Sequence, residues 1–207
     1  MPKKRLTRAQ TQALTRREVL NAAARVFPAR GYHQTRVEQV ADDAGLSIGA
    51  VYSNFDNKAD LFLALYEQHV ERWVAELEER VLEGKTPAER TTAAGRWWAD
   101  FMETEQDWMV LEIEFWAHAV RDSELRERFA ASFAPLRQKT ADLIESGARE
   151  FGLTLPAPAH QLALGVTALC TGMMVERALV PDPADDDSFA PLLEAMLRSI
   201  GLEDRPA

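Results

Sequence analysis

An all-α fold of about nine helices is predicted for this chain, and two patterns in the sequence indicate it. Apolar residues recur at three- and four-residue spacing along most of the 207 residues, which is the spacing of one helix face. Between these segments stand Ser, Thr or Asp residues that can cap a helix start, and Gly or Pro residues that end one. Strand patterns are almost absent, and a hydrophobic content of 46% is enough for a buried core.

The first helix belongs to a strongly basic segment. Residues 1–36 carry nine Lys or Arg and one Glu, a charge of +8, in a chain whose net charge is −9, so residues 37–207 carry −17. This asymmetry indicates a surface for nucleic acid on an acidic body, because local potential rather than the pI of 5.0 governs the approach of phosphates. A disordered solubilising tail remains the alternative, chiefly for residues 1–8. Pro28 has no N–H and predicts a kink or an early end of this helix.

Two short helices joined by a tight turn are predicted next. Thr35 and Glu38 can form a capping box at the start of the second helix, and Gly45 tolerates the positive φ that ends it. Ser47 is placed to cap the third helix, which we expect to cover residues 48–55 over about 12 Å. That length matches the width of the DNA major groove. The pattern predicts a helix-turn-helix, although any helical hairpin with a glycine turn shows similar capping.

Six further helices are predicted from breaks in the apolar pattern. The expected caps for three of them are Thr86, Asp107 and Ser123. Beginning at Lys58, the six helices end near residues 83, 105, 121, 151, 180 and 200, with an acidic loop at 181–187 before the last.

The rest of the composition predicts a cytoplasmic protein without a membrane partner. No apolar run approaches the ~20 residues of a membrane span, and the basic N-terminus lacks the apolar segment of a signal peptide. The single cysteine, Cys170, permits no internal disulfide, which fits a reducing compartment.

The most specific motif runs from residue 35 to residue 61. It reads Thr35…Val40-Ala41…Ala44-Gly45-Leu46-Ser47-x-Gly49-x-Val51-Tyr52-x-x-Phe55-x-x-Lys58-x-x-Leu61, preceded by Ala22-Ala23…Phe27…Arg30-Gly31-Tyr32. Over roughly residues 15–65 the chain resembles the tetracycline-repressor (TetR) family of bacterial transcription regulators. One departure is Asn54, where that family more often has His or Tyr. The resemblance implies a DNA-binding domain with a basic arm at residues 1–58 and a helical effector-binding and dimerisation domain at residues 59–207.

The outer face of the predicted recognition helix is small or polar, so it can lie close to a groove floor. Sequence readout is expected to depend on DNA shape and half-site spacing, because bidentate side chains are few. We expect the arm at residues 1–8 to reach the minor groove. Phosphate contacts are predicted from the Thr35 backbone, Arg36, Tyr52, Asn54 and Lys58, and base-edge contacts from Ile48, Gly49, Ala50 and Ser53, with Ser47 at the helix start.

Four of the five tryptophans lie between residues 97 and 116, beside other aromatic residues and methionines. Such walls suit a cavity for an apolar small molecule, but from spacing alone an ordinary core is the better explanation. The family resemblance implies an inducer pocket between these helices. The candidate lining residues are His69, Trp73, Trp97, Phe101, Glu112, Trp116 and His118.

The last two predicted helices carry a wide apolar stripe and small residues that allow close backbone approach. The resemblance implies that they form a four-helix dimer interface, although packing within one subunit fits the sequence as well. DNA geometry favours the dimer, since two-fold dimers read half-sites about 34 Å apart. The predicted interface residues are Leu164, Ala168, Gly172, Phe189, Leu192, Leu193 and Met196.

Together these features predict a ligand-responsive transcription regulator, expected to be a repressor. It would bind a palindromic DNA operator as a homodimer and be released by a small, largely apolar or aromatic effector. No cofactor and no metal are expected, since Glu114 and His118 at i, i+4 are too few ligands for a metal site. No catalytic set or phosphate-binding loop is recognisable, so an enzyme is not expected. A regulator that works through protein partners, and a helical enzyme or ligand carrier, remain the alternatives.

Overall fold

Eight α-helices and no strand make up the part of the chain that the computed structural model describes, residues 7–180, 191–192 and 195–196. The predicted all-α class is confirmed. The predicted ninth helix, at residues 188–200, lies largely outside the described residues. The helices are α1 (Arg8–Arg30), α2 (Val37–Ala44), α3 (Ile48–Tyr52), α4 (Lys58–Glu83), α5 (Pro87–Thr104), α6 (Gln106–Ala119), α7 (Ser123–Glu150) and α8 (Ala159–Leu179).

The chain divides into two compact units. Unit 1 comprises Met1–Gln68 and Val110–Phe129, and unit 2 comprises His69–Met109 and Ala130–Ala207. Helices α4, α6 and α7 therefore each contribute a segment to both units. The functional boundary near residue 58 stays a prediction.

Unit 1 is built around a cluster of aromatic rings. Phe62 on α4 has its ring centroid 5.4 Å from Phe27 of α1 and 4.2 Å from Phe115 of α6. Tyr32, just after α1, meets Phe115 edge-on at 4.9 Å. All four side chains are buried, and each such ring pair contributes about 0.5–1.5 kcal/mol beyond its area burial. The cluster joins α1, α4 and α6 within this unit.

A buried carboxyl group lies in the same unit. The Tyr66 hydroxyl donates to Glu112 Oε1 at 2.8 Å, and only 3% of Glu112 is exposed. Burial raises the pKa of Glu112 to about 7, opposed by the hydrogen bond from Tyr66. Burial also raises the pKa of Tyr66 well above its usual value, and the charge of Glu112 adds to that rise. Near neutral pH Glu112 therefore gains or loses its proton inside the core of unit 1, while Tyr66 stays protonated.

We expect the stability of the protein to fall as the pH rises from about 4.5 to about 7. Because the folded-state pKa of Glu112 lies above its unfolded value, the folded chain binds more protons over this interval. The stabilisation from protonated Glu112 is fully present below the pKa of this group in the unfolded chain. It is lost as the pH rises through the pKa of the group in the folded chain, which lowers the free energy of unfolding by at least about 1 kcal/mol.

Glu112→Gln should remove this component, which urea unfolding at about pH 5 and about pH 8 can measure. The exposed Glu127→Gln on α7 is the matched control and should keep it. The same pH dependence in Glu112→Gln as in the unchanged protein would contradict the assignment.

The end of α1 departs from the prediction at its proline. The sequence predicted a kink or an early end at Pro28. The helix continues through Pro28 to Arg30, so the early end is wrong, and the kink stays a prediction. Pro28 lies in the last turn, where its missing N–H costs one backbone bond and the turn is still closed by the Gly31 N–H, which donates to Phe27 O at 2.8 Å.

The helix starts of unit 2 and of the α6–α7 turn depend on side-chain caps. Thr86 caps α5 as predicted, accepting from the Glu89 N–H at 3.2 Å. At the start of α7 the cap is Asp122 rather than Ser123, because the Asp122 carboxylate accepts from the N–H groups of residues 124 and 125. With Asp107 as its cap, α6 was expected to begin at residue 108. It begins two residues earlier, at Gln106, which leaves Asp107 in its first turn.

Helix α8 is a 21-residue apolar helix whose two faces differ. By length and composition alone it meets the criterion for a membrane span, which corrects the expectation that no apolar segment approaches that length. Its Gly and Thr residues interrupt the apolar run without making the helix polar. One face is buried within unit 2, at Leu162, Ala163, Thr167 and Met174, and the other is exposed, at Leu164, Ala168 and Gly172.

Candidate nucleic-acid interface

The turn between α2 and α3 has the predicted glycine geometry. Gly45 has φ 67° and ψ 29°, the left-handed conformation. Its N–H donates to Asp42 O at 3.1 Å, and the Leu46 N–H donates to Ala41 O at 2.9 Å, which together form a Schellman motif. No atom lies within 4 Å of a Cβ added at Gly45. Glycine is therefore needed there for its backbone conformation rather than for space.

The start of α2 differs from the prediction. Thr35 is buried, and its hydroxyl donates to Gly31 O at 2.8 Å, so it is not available as a cap. The helix begins after Arg36, whose N–H donates to Gln39 Oε1 at 2.9 Å. The predicted capping box of Thr35 and Glu38 is wrong, because the Thr35 hydroxyl bonds the carbonyl of Gly31, four residues earlier, at the end of α1.

Helix α3 is capped as predicted but is shorter. The Ser47 side chain accepts from the Ala50 N–H at 3.2 Å. The helix then ends at Tyr52 after five residues, about 7.5 Å, so the predicted span of residues 48–55 is too long.

Two side chains after α3 explain its early end. The Ser53 hydroxyl donates to Ala50 O at 2.8 Å, and the Asn54 side-chain amide donates to the same oxygen at 2.9 Å. These bonds occupy the carbonyl that the next helical N–H would have used, which is how such side chains compete with the backbone. The Asn54 N–H turns instead to Val51 O at 2.9 Å.

The exposed surface of α3 brings together part of the predicted contact set. Ile48 is 39% exposed and Tyr52 is 47% exposed, which is unusual for large apolar side chains in a core-forming segment. Ala50 and Asn54 are half-buried, and Thr35 is buried. The exposed members of the set are Arg36, Ser47, Ile48, Gly49, Tyr52 and Ser53.

Lys58 lies at the first position of α4 with its ammonium group against backbone carbonyls. Nζ donates to Tyr32 O at 2.8 Å, to Thr35 O at 3.1 Å and to His33 O at 3.4 Å. It also lies 4.5 Å from the centroid of the Tyr32 ring. Burial lowers the pKa of Lys58, and the Glu114 carboxylate opposes that shift. Lys58 therefore fastens the α1–α2 connection, and its phosphate contact stays a prediction.

Lys58→Met should separate these two roles. Loss of a cation that bonds three carbonyls is expected to cost about 2 kcal/mol of stability, measured by urea unfolding. If Lys58 only holds the α1–α2 connection, the slope of log affinity for DNA against log salt concentration should be unchanged in the variant. If Lys58 contacts a phosphate in each protomer of a dimer, the magnitude of that slope should fall by about two. The exposed Lys85→Met is the control and should leave stability unchanged.

Arg16, one of the nine basic residues of segment 1–36, lies beside α3, a position that the sequence did not predict. The Arg16 guanidinium donates to Asn54 O at 3.1 Å and lies 4.3 Å from the centroid of the Phe55 ring. Arg16 is exposed, so it adds positive charge at the C-terminal end of α3. Its partner is 38 residues away in sequence, and no local pattern signals the contact.

The α1–α2 connection is held from a second side by α6. Glu114 Oε2 accepts from the Tyr32 N–H at 2.6 Å. Gly31 has φ 78°, and a Cβ added there would lie 2.7 Å from the same oxygen. From the sequence, Glu114 was expected only to pair with His118 on a helix surface. In the structure its carboxylate instead accepts from the backbone between α1 and α2, within unit 1.

The predicted effector residues are divided between the two units. His69, Trp73, Trp97 and Phe101 belong to unit 2, while Glu112, Trp116 and His118 belong to unit 1. Their common role as a pocket lining stays a prediction. Among the described residues, no group of three or more His, Cys, Asp or Glu is arranged to hold a metal ion.

A glycine-linked pair of helices with an exposed second helix, on a basic N-terminal segment, defines a helix-turn-helix DNA-binding regulator. Residues 19–65 match the model of the bacterial regulatory proteins of the tetR family. Residues 87–201, more than half of the chain, match the C-terminal domain of BetI-type transcriptional repressors. The chain belongs to the TetR family of bacterial transcription regulators.

Individual proteins extend the similarity over most of the chain. The HTH-type transcriptional regulator BetI of Brucella canis is 25% identical over 198 residues, which cover 96% of each chain. A TetR-family regulator from Rhodococcus shares the fold with a TM-score of 0.75 at 23% identity, over 91% of this chain and 99% of that one. A regulator from Saccharomonospora viridis in complex with choline has a TM-score of 0.70 at 19% identity, over 90% of this chain and 96% of that one.

Proposed function

We propose that the chain is a one-component repressor that binds a palindromic operator as a homodimer and is released by a small molecule. The observation that carries this proposal is the exposed helix α3, fixed by the Gly45 turn and the Ser47 cap. The match of residues 87–201 to BetI-type repressors supports the sign of regulation. The relatives are regulators rather than enzymes, and a cytoplasmic location without a cofactor follows from the same proposal.

Exposure divides the predicted DNA contacts into two groups. Arg36 and Tyr52 are free to reach phosphates, and Ile48, Gly49 and Ser53 to reach base edges. Thr35, Asn54 and Lys58 would act by holding the domain in shape, since the backbone N–H of Thr35, the side-chain NH₂ of Asn54 and the ammonium group of Lys58 already donate within unit 1. Ala50 is half-buried and contributes at most its methyl group.

The dimer would form through α8. Leu164, Ala168 and Gly172 are spaced four residues apart and lie on one exposed face, and no atom of the described residues lies within 4 Å of a Cβ added at Gly172. Small residues on such a face let a second helix approach closely. Of the other predicted interface residues, Leu192 is 49% exposed and Met196 lies 4.0 Å from the position of a Cβ at Gly165, whereas Phe189 and Leu193 lie outside the described residues.

The dimer proposal is tested by Ala168→Glu, which would place a charge on the small-residue face. Light scattering should give a dimer mass for the unchanged chain and a monomer mass for the variant. Ala131→Glu puts the same charge on an exposed position of α7 and should remain a dimer. A monomeric unchanged chain would contradict the proposal.

The operator proposal is tested with DNA from the region upstream of the chain's own gene. Fluorescence anisotropy should show binding that falls steeply with salt, because phosphate contacts release counterions. A palindromic fragment should bind two protomers, and a fragment with one half-site should bind far more weakly. Equal binding to the palindrome and to unrelated DNA would contradict operator recognition.

The effector would be small and largely apolar, with an aromatic part. The aromatic side chains of unit 2 support this, since Trp73, Trp97, Trp98 and Phe101 contact one another with ring centroids 4.5–6.3 Å apart. The choline bound in the Saccharomonospora protein makes a small cation the main competing class of effector.

A further inference from the structure

One histidine of unit 2 is packed against two indole rings. The side chain of His69, on α4, is one-tenth exposed. Its ring centroid lies 4.0 Å from that of Trp73 and 3.7 Å from that of Trp108. Trp73 in turn meets Phe101 edge-on at 4.5 Å. We call these four side chains, all within unit 2, the aromatic box.

The hydrogen bond from Arg72 fixes the protonation state of His69. Arg72 NH2 lies 3.1 Å from His69 Nδ1, and because a guanidinium has no acceptor, Nδ1 must be the acceptor. Burial, with the charge of Arg72 as the second cause, lowers the pKa of His69 to about 2, so the ring is neutral. The ring proton is therefore on Nε2, which is a donor.

Two of the buried N–H donors of the aromatic box have no hydrogen-bond acceptor among the described residues. They are Nε2 of His69 and Nε1 of Trp73. Glu105 Oε2 lies 3.7 Å from His69 Nε2, which is beyond hydrogen-bond distance. Trp73 follows His69 by four residues, so both side chains lie on the same face of α4. Buried donors are nearly always paired in folded proteins, and convergent polar groups in an aromatic setting are typical of ligand sites.

The charges beside the box restrict what the donors can bind. Arg72 pairs with Glu105 at 3.0 Å and with the exposed Glu76 at 3.8 Å, so the two carboxylates outnumber the one cation. The Glu105 carboxylate near Nε2 disfavours an anionic acceptor. The positive ends of two N–H groups disfavour a cation.

We propose that the aromatic box is the effector subsite and takes a neutral, planar apolar molecule whose carbonyl-type oxygen accepts from His69 Nε2 and Trp73 Nε1. The rings pack against the apolar body of the ligand, and the oxygen satisfies the two donors. This inference rests on the proposed function, which supplies the need for an effector, but the ligand class comes from the donors and the charges.

The test uses four small probes on the full-length protein with ¹⁵N-labelled side chains. Acetophenone has the proposed carbonyl, and α-methylstyrene has the same shape with a CH₂ group in its place. Benzoate and choline supply the anion and the cation. In ¹H–¹⁵N spectra, acetophenone should shift the Trp73 indole resonance and the His69 Nε2 resonance at millimolar concentration, and the other three should not.

Two variants remove one donor each and keep an aromatic ring. Trp73→Phe and His69→Phe should each weaken acetophenone binding by about tenfold, the size expected for losing one hydrogen bond in a buried site. Met174→Leu makes a conservative change at a buried side chain of α8, also in unit 2, and should leave the affinity unchanged. Urea unfolding of each variant confirms that the comparison is between folded proteins.

Three outcomes would overturn the subsite. They are equal shifts with acetophenone and α-methylstyrene, stronger shifts with benzoate or choline, and no shift with any probe. Operator binding by the same preparation is measured in parallel. If the probes fail while the protein binds its operator, the subsite is wrong and the proposed function stands. If operator binding fails, the proposed function is wrong whatever the probes show.

Discussion

Tyr52→Ala is expected to weaken operator binding by about one hundredfold without changing the fold or the dimer mass. Tyr52 ends α3 and is 47% exposed, so its truncation removes no core contact. A hydrogen bond to a charged group contributes about 1.5–3 kcal/mol. A dimer makes the contact twice, so the lower end of that range gives a total loss of about 3 kcal/mol, which corresponds to a change of about one hundredfold. Fluorescence anisotropy at fixed salt measures the affinity, and circular dichroism checks the fold.

Two further variants sharpen this result. Tyr52→Phe keeps the ring and removes the hydroxyl, so a loss close to that of Tyr52→Ala would identify the hydroxyl as the phosphate donor. Val120→Ala truncates another large exposed side chain of unit 1, 59% exposed and away from α3 in sequence, and should leave binding unchanged. Unaltered operator affinity in Tyr52→Ala would exclude α3 as the helix that docks on DNA.

Gly31→Ala is expected to destabilise the protein by about 3 kcal/mol, for two separate reasons. At φ 78° and ψ 162° a residue with a Cβ is strained, which costs about 1–3 kcal/mol. The added Cβ would also lie 2.7 Å from Glu114 Oε2, an oxygen held in place by the Tyr32 N–H. Urea unfolding measures the loss.

Gly45→Ala separates the cost of backbone strain from the cost of the close contact with Glu114. Gly45 has a similar φ of 67° but open space around it, so alanine there should cost only about 1–2 kcal/mol of backbone strain. In a Glu114→Ala background, Gly31→Ala should cost less than in the unchanged protein, because the close contact is gone. If Gly31→Ala and Gly45→Ala cost the same, the contact with Glu114 contributes nothing.

The fold class and the turn chemistry were accessible from the sequence, because they depend on neighbours along the chain. The Gly45 turn, the Ser47 cap and the Thr86 cap each involve residues within five positions of one another. The early end of α3 also has a local cause, but it required knowing that Ser53 and Asn54 would bond Ala50 O instead of facing solvent.

The roles of individual polar side chains were much less accessible. Thr35 looked like a helix cap and Lys58 like a phosphate contact, yet both bond backbone carbonyls inside unit 1. A polar side chain can form alternative hydrogen bonds. A threonine hydroxyl can cap a helix or bond a nearby carbonyl, and a lysine ammonium group can bind a phosphate or bond backbone carbonyls. Which use prevails depends on what packing places nearby.

The sequence by itself determined that this chain is helical, that two of its helices form a glycine-linked helix-turn-helix, and that its basic charge is concentrated at one end. Helix period, capping and composition are local or additive properties, so they can be read without coordinates. Only the tertiary structure decided that Glu114 would accept from the N–H of Tyr32, which lies 82 residues away in sequence. It also decided that Arg16 would lie beside α3. The burial of His69 Nε2 and Trp73 Nε1 without an acceptor among the described residues is a third such feature. These features depend on contacts between distant segments, and such contacts are set by the packing of the whole core rather than by any short stretch of residues.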